Sequence, residues 1–198
     1  MLRNVAAYLV KWLETYWRCR AWCQFYIRGV RWPEGMRVLG PLGLSARGSV
    51  QIGKRLTIVS DSRFNRAGIN HPTQMAVCAG AVLVIGDDVG ISGASIFCAS
   101  SITIGDNVLI GVNCSIYDTD FHPVHWYDRR MSKAATSLPV RIGDDVWLSA
   151  GVIVLKGTSI GARSVIAAGS VVTKDIPPDT LAAGVPARPV RKLSSERR

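Results

Sequence analysis

Between residues 85 and 172 an aliphatic or aromatic side chain returns every sixth position, a period that neither ordinary secondary structure uses. Strands alternate every two residues and helices turn every 3.6. Ile85, Ile91 and Phe97 open the series, Ile104, Ile110 and Ile116 follow after one inserted residue, and Ile142, Leu148, Val154, Ile160, Ile166 and Val172 complete it. A fainter set, Ile52, Ile58 and Phe64, precedes them. The fifth hexad position is small or Val: Val89, Ser95, Ser101, Val108, Cys114, Val146, Val152, Thr158, Ser164 and Ser170. The spacing predicts an all-β solenoid whose coils have three flat sides, each contributing one inward aliphatic residue. Gly-Asp-Asp and Gly-Asp-Asn triplets then read as corner chemistry, not as a phosphate loop, because no strand-to-helix pattern accompanies them.

One stretch breaks the rhythm. Residues 122–141 (HPVHWYDRRMSKAATSLPVR) lack the hexad pattern, and stacked coils tolerate such an insertion only as a loop thrown outward. Loops on a rigid scaffold commonly carry function, and this one holds His122 and His125. His122 stands at the expected root of the loop, stiffened by Pro123, which suits a general base. Asp118 and Asp120 share its parity, so on an extended strand all three point to one side; either carboxylate is a candidate to orient the imidazole.

The hexads Ile-Gly-Asp-Asn-Val at 104–108 and Ile-Gly-Asp-Asp-Val-Trp at 142–147 resemble those of the bacterial hexapeptide-repeat acyltransferases. Over residues 50–191 the chain is similar to the sugar and polysaccharide O-acetyltransferases related to galactoside and maltose acetyltransferases. The resemblance implies a left-handed parallel β-helix, a homotrimer with sites in clefts between neighbouring subunits, acetyl-CoA as co-substrate and no metal. Its His-Pro pair, matched by His122-Pro123, implies that His122 deprotonates the acceptor hydroxyl. On the donor side it implies Trp147 at the thioester end of the pantetheine arm, with Ala150 and Ala168 facing the pantetheine amides. Thr173 and Lys174 fall near the nucleotide, and Arg188 and Arg191 near its phosphates. Ser92 stands where the galactoside branch carries an acceptor-binding Asn, but no carboxylate replaces that branch's Asp. The Asp-Thr-Asp-Phe-His-Pro run points instead to polysaccharide acceptors or their lipid-linked precursors.

The same resemblance leaves competitors. An amino group or an antibiotic hydroxyl is a second acceptor class; a zinc site of the γ-type carbonic anhydrase kind is a third reading, and a non-catalytic β-helical scaffold a fourth. Only three histidines are present, without that zinc family's spacing.

Upstream, residues 1–35 form a separate segment before a β-helical domain at 36–198. A helix over 4–28 carries Val5, Tyr8, Leu9, Trp12, Tyr16, Cys19, Cys23, Tyr26 and Ile27 at helical spacing. This stripe is expected to cap the open end of the solenoid, with Cys19 and Cys23 as small packing residues; contact with an anionic membrane face is the alternative, kept open by Trp17 and Trp22. The formal charge of +10 favours anionic partners, but the cations are not interleaved with aromatics on a repeated face, which argues against nucleic acid. Five scattered cysteines and the absence of an export pattern lead to the expectation of a reducing cytoplasm.

Overall fold

The computed structural model describes residues 2–193, and side chains from Val10 onward. Val5, Tyr8 and Leu9 of the expected stripe, and residues 194–198, therefore lie outside the described side chains. Helix α1 (Leu2–Ile27) leads into a left-handed parallel β-helix built from three sheets. The first face stacks Arg37–Leu39, Thr57–Val59, Gly90–Ser92, Leu109–Ile110, Trp147–Leu148 and Val165–Ile166 in parallel. Thr180–Gly184 continues it, and Ala187–Lys192 turns back antiparallel against that strand. The second face runs from Leu42–Ala46 to Val171–Val172 and the third from Ser49–Ile52 to Ser159–Ile160.

Each coil buries one aliphatic residue per face, so Ile91, Ile110, Leu148 and Ile166 stack in one column and Ile96, Ile116, Val154 and Val172 in another. Burying such a side chain contributes roughly 1.5–3 kcal/mol, so the columns supply most of the driving force for coiling. The fifth hexad position lies at the corners, where a hydroxyl finds backbone. Thr158 Oγ1 donates to the Leu155 carbonyl at 2.7 Å, and Ser164 Oγ donates to the Pro177 carbonyl at 2.8 Å.

The corner between the third and first faces explains the Gly-Asp triplets. Asp87, Asp106 and Asp144 each accept, through Oδ1, an amide of the coil before: Lys54 at 2.7 Å, Asp87 at 2.7 Å and Asp106 at 2.9 Å. The residue after each aspartate has positive φ, +57° at Asp88, Asn107 and Asp145. A Cβ on Gly86 would meet Asp106 Oδ1 at 2.3 Å, so only glycine lets the coils stack there.

The early coils depart from the even spacing. Phe97 is not an inward residue; Ile96 takes the core position, and Ala94 and Ile102 replace Ser95 and Ser101 at the inner positions beside it. Gly93, at φ +49°, tightens the corner and shortens the side by one residue. Phe64 belongs to no coil either. After Val59 the chain leaves the prism over residues 60–72 and returns at Thr73, a second excursion that the hexad count does not reveal.

Helix α1 does close the N-terminal end, but with the opposite side from the one expected. Ala21 and Phe25 are buried, Trp17 packs partly against the core, and Gln24 bridges Leu42 and Leu44 through Nε2 and Oε1 at 2.8 and 3.0 Å. Trp12, Tyr16, Cys19, Cys23, Tyr26 and Ile27 face solvent. The two cysteines are thus not packing residues; Cys98 and Cys114 are the buried thiols.

Candidate functional site

The major loop begins earlier than the pattern break. The second-face strand Ser115–Tyr117 ends, the chain leaves at Asp118, and it rejoins the third face at Val140. Its neck is zipped: Thr119 bridges Ser137, the Asp120 amide donates to the Thr136 carbonyl at 3.1 Å, and the Leu138 amide donates to the Asp118 carbonyl at 2.9 Å. His122 follows this neck and is exposed, ahead of the short helix α2 (Trp126–Arg130).

The common parity of Asp118, Asp120 and His122 does not survive, because Phe121 at φ +62° ends the extended run. Asp118 is fully buried, and its two oxygens accept the Ala99 and Ser100 amides, both at 2.7 Å. It closes the turn beneath the loop and does not face the imidazole. Asp120 pairs with Lys156 Nζ at 3.2 Å, both half-buried, tying the neck to the next coil. The His122 amide donates to the Asp120 carbonyl at 2.7 Å. Phe97 and Tyr117, in register on the outer second face, hold Phe121 at centroid distances of 4.7 and 5.2 Å. His122 is thus placed by an ion pair on one side of its neck and an aromatic clamp on the other. Phe97 counts as a core residue in the hexad series and stands outside instead, while Lys156 and Tyr117 carry no signal in the sequence, lysine at a corner being common and Tyr117 lying one place past the hexad position of Ile116.

The residues expected on the donor side occupy a different part of the prism. Trp147 stands half-exposed on the first face in register with Leu109, and Gly90 below leaves room for Leu109. With Thr57, Val59, Ser92 and Gly111 they line a depression of about 190 Å³. Ala150 and Ala168 are exposed one above the other at the corner between the first and second faces, where the Gly169 amide donates to the Ala150 carbonyl at 2.9 Å. Arg188 and Arg191 lie exposed on the last strand of the first face. Thr173 and Lys174, however, are at the corner between the second and third faces, one coil beyond Lys156 and on the His122 side.

Ser92 is met by the unforeseen 60–72 loop, whose Asn65 Nδ2 donates to Ser92 Oγ at 3.2 Å. The same loop sets His71 Nε2 at 3.0 Å from Ser95 Oγ, and Asn113 Oδ1 accepts the Asn70 amide at 3.0 Å. His71 and His122 lie at different corners, and among the described residues no three His, Cys, Asp or Glu side chains converge as metal donors.

Within one chain, then, the expected residues form two groups separated by the second face. One offers a Trp-walled groove, exposed backbone and arginines; the other offers a histidine, a carboxylate and lysines. A model described as bacterial transferase hexapeptide (six repeats) matches residues 139–174, and a hexapeptide repeat of succinyl-transferase matches 101–117. Galactoside O-acetyltransferase of Escherichia coli is 48% identical over 94 residues, covering 48% of this chain and 45% of that enzyme. The chain thus matches about half the length of such curated relatives. A maltose O-acetyltransferase structure from Clostridium difficile aligns at TM-score 0.53 and 32% identity, over 78% of this chain and 71% of the other. A hexapeptide-repeat acetyltransferase from Vibrio cholerae aligns at 0.52 and 32%, over 77% and 74%. That identity, over most of both chains and on the same coiled scaffold, makes this chain a member of the hexapeptide-repeat acetyltransferase family.

Proposed function

We propose that this protein transfers the acetyl group of acetyl-CoA to a sugar hydroxyl, with His122 as general base. The observation that carries the reading is the pairing of a rigidly necked histidine with a ladder of small corner residues and a terminal arginine cluster. The stacked Ala150 and Ala168 leave backbone groups accessible to pantetheine amides, Trp147 walls the thioester end, and Arg188 and Arg191 attract the phosphates. Thr173 and Lys174 serve the nucleotide from the neighbouring corner. The acceptor hydroxyl loses its proton to one imidazole nitrogen of His122 as its oxygen attacks the thioester carbonyl. A backbone N–H at the alanine corner steadies the oxyanion. Collapse breaks the C–S bond, and the imidazolium returns its proton to the CoA thiolate, leaving an O-acetyl sugar and free CoA. Asp120 acts through its ion pair with Lys156, which fixes the neck, and Asp118 through the turn it closes.

The two groups sit at different corners of one rigid prism, so a second copy completes the site. A homotrimer supplies that arrangement three times. The named substrates of the relatives, a galactoside and maltose, support a sugar hydroxyl as acceptor. The Ser92 groove offers hydroxyl and amide groups without a carboxylate, which suits a glycan of polysaccharide type or its lipid-linked precursor.

CoA release measured against a panel of mono- and oligosaccharides, with amino sugars as controls, tests the acceptor class; turnover confined to amines would remove the O-transfer reading. Co-expression of His122→Ala and Trp147→Ala chains tests the shared site. Mixed oligomers regain activity if the halves come from different subunits, and stay inactive if one chain holds a whole site.

A further inference from the structure

We propose that helix α1 lies on an anionic lipid surface through the side it turns away from the β-helix. At about 100° per residue, Trp17, Ala21 and Phe25 point one way and Trp12, Tyr16, Cys19, Cys23 and Tyr26 the other. The first set packs on the coil end; the second is exposed, Trp12 to 65%, Tyr26 to 73% and Ile27 to 77%. A helix that only capped the solenoid would carry polar residues on that outer side. Here Trp12 stacks on Tyr16 and Trp22 on Tyr26, at 5.9 and 5.3 Å between centroids. From Trp12 to Ile27 the stripe runs about 22 Å along the helix.

The charge beside the stripe selects the occupant. Lys11 and Arg18 border one edge, Arg20 the other, and Arg28 and Arg31 follow the helix end, all of them exposed. Over residues 10–31 these five cations face one carboxylate, Glu14, which is turned toward Arg37 at 3.8 Å. Aromatic rings with flanking cations match the boundary between headgroups and acyl chains, where Trp and Tyr settle and basic residues meet anionic headgroups. Among the described residues no helix is both long and apolar enough to cross a membrane; α1, at 26 residues, has the length but not the apolarity. A second protein copy would have to place its own basic rim against this one, which charge disfavours. The inference stands apart from the acetyl-transfer reading, since none of these residues belongs to the candidate site.

Sedimentation of the protein with vesicles tests it. Vesicles containing about 30% phosphatidylglycerol in phosphatidylcholine should bind at least about tenfold more strongly than phosphatidylcholine alone. Tryptophan emission should shift to the blue on binding, and about 0.5 M NaCl should weaken the association. Trp12→Ser/Tyr26→Ser should abolish binding while leaving the thermal unfolding transition and the mass by light scattering unchanged. Should that variant misfold, Lys11→Glu/Arg18→Glu decides: loss of binding supports the inference and full retention overturns it. Equal binding to neutral vesicles, no binding to anionic ones, or a change of oligomeric mass in the serine variant would each overturn it, the last by identifying a second copy as the occupant.

Discussion

At the corner between the first and second faces, the chain stacks Ser149-Ala150-Gly151 beneath Ala167-Ala168-Gly169, showing solvent almost nothing but backbone. At the next corner the same coils carry Lys156 and Lys174, with Asp118, Asp120 and His122 on the loop that escapes there. Both corners rest on the same aliphatic columns, so the difference owes nothing to the fold. Small residues cost a solenoid little, because the inward side chains already hold the coils together. A charged corner needs extra ties, and the structure supplies them in the Asp118 turn, the Asp120–Lys156 pair and the Phe97–Phe121–Tyr117 clamp. One corner is made to be approached, the other to hold a reactive group still.

The sharpest way to break this contrast is His122→Ala. If the charged corner carries the chemistry, kcat falls by about 10²–10⁴ while KM for acetyl-CoA changes little. Near-normal turnover would move the base elsewhere, His71 beside Ser95 being the next group to examine. Asp118→Ala comes second, and here stability is the readout. It strips the partner from two part-buried amides, at a cost of about 2 kcal/mol or more. That loss should appear as an earlier denaturation midpoint with unchanged slope, whereas Asp120→Ala, half-exposed, should cost less than half as much.

The even hexads from Ile142 to Val172 could be read directly, since each step of six lands on a buried residue. The same arithmetic misplaced Phe97 and Phe64. Phe97 is as apolar as Ile96, and what chooses between them is Gly93. Its positive φ shortens the corner, and a Cβ there would strike Ile69 Cγ2 at 2.7 Å and the His71 carbonyl at 2.8 Å. The register is therefore set by a loop docking from outside, information that no local period contains. Helix α1 failed for a related reason. Its apolar spacing was visible, but which side meets the coil end depends on Ala21, small enough for close approach, and on Gln24 reaching the Leu42 carbonyl. The histidine loop was legible as a break, yet the partners of its carboxylates were not, because Lys156 and the Ala99–Ser100 amides come together only when coils stack.

A smaller effect probes the backbone corner. Ala168→Leu places a side chain where the pantetheine arm is expected to lie, and should raise KM for acetyl-CoA by about tenfold with kcat preserved. The exposed position makes a folding defect small, so an unchanged KM would detach the alanine ladder from donor binding.

The weakest probe compares the two corners through their buried thiols. Cys114 donates to the Ser149 carbonyl at 3.1 Å under the backbone corner, and Cys98 donates to the Val82 carbonyl at 3.4 Å under the charged one. Burial pushes Cys114 up to about 11. Burial, reinforced by the charge of Asp118, pushes Cys98 up to about 12. Neither thiol should react with iodoacetamide in the folded protein at pH 8, while exposed Cys19 and Cys23 should be alkylated, as peptide mass mapping would show. Because both folded values stand above the unfolded thiol's, their contribution to stability is complete below about pH 8.5 and is lost as pH rises toward 11 and 12. Asp118→Asn separates the causes. It should bring Cys98 down toward the value of Cys114 and leave Cys114 unmoved, so faster alkylation of Cys98 alone at high pH sharpens the contrast between the corners. Equal acceleration of both thiols would mean that the substitution had loosened the coils as a whole.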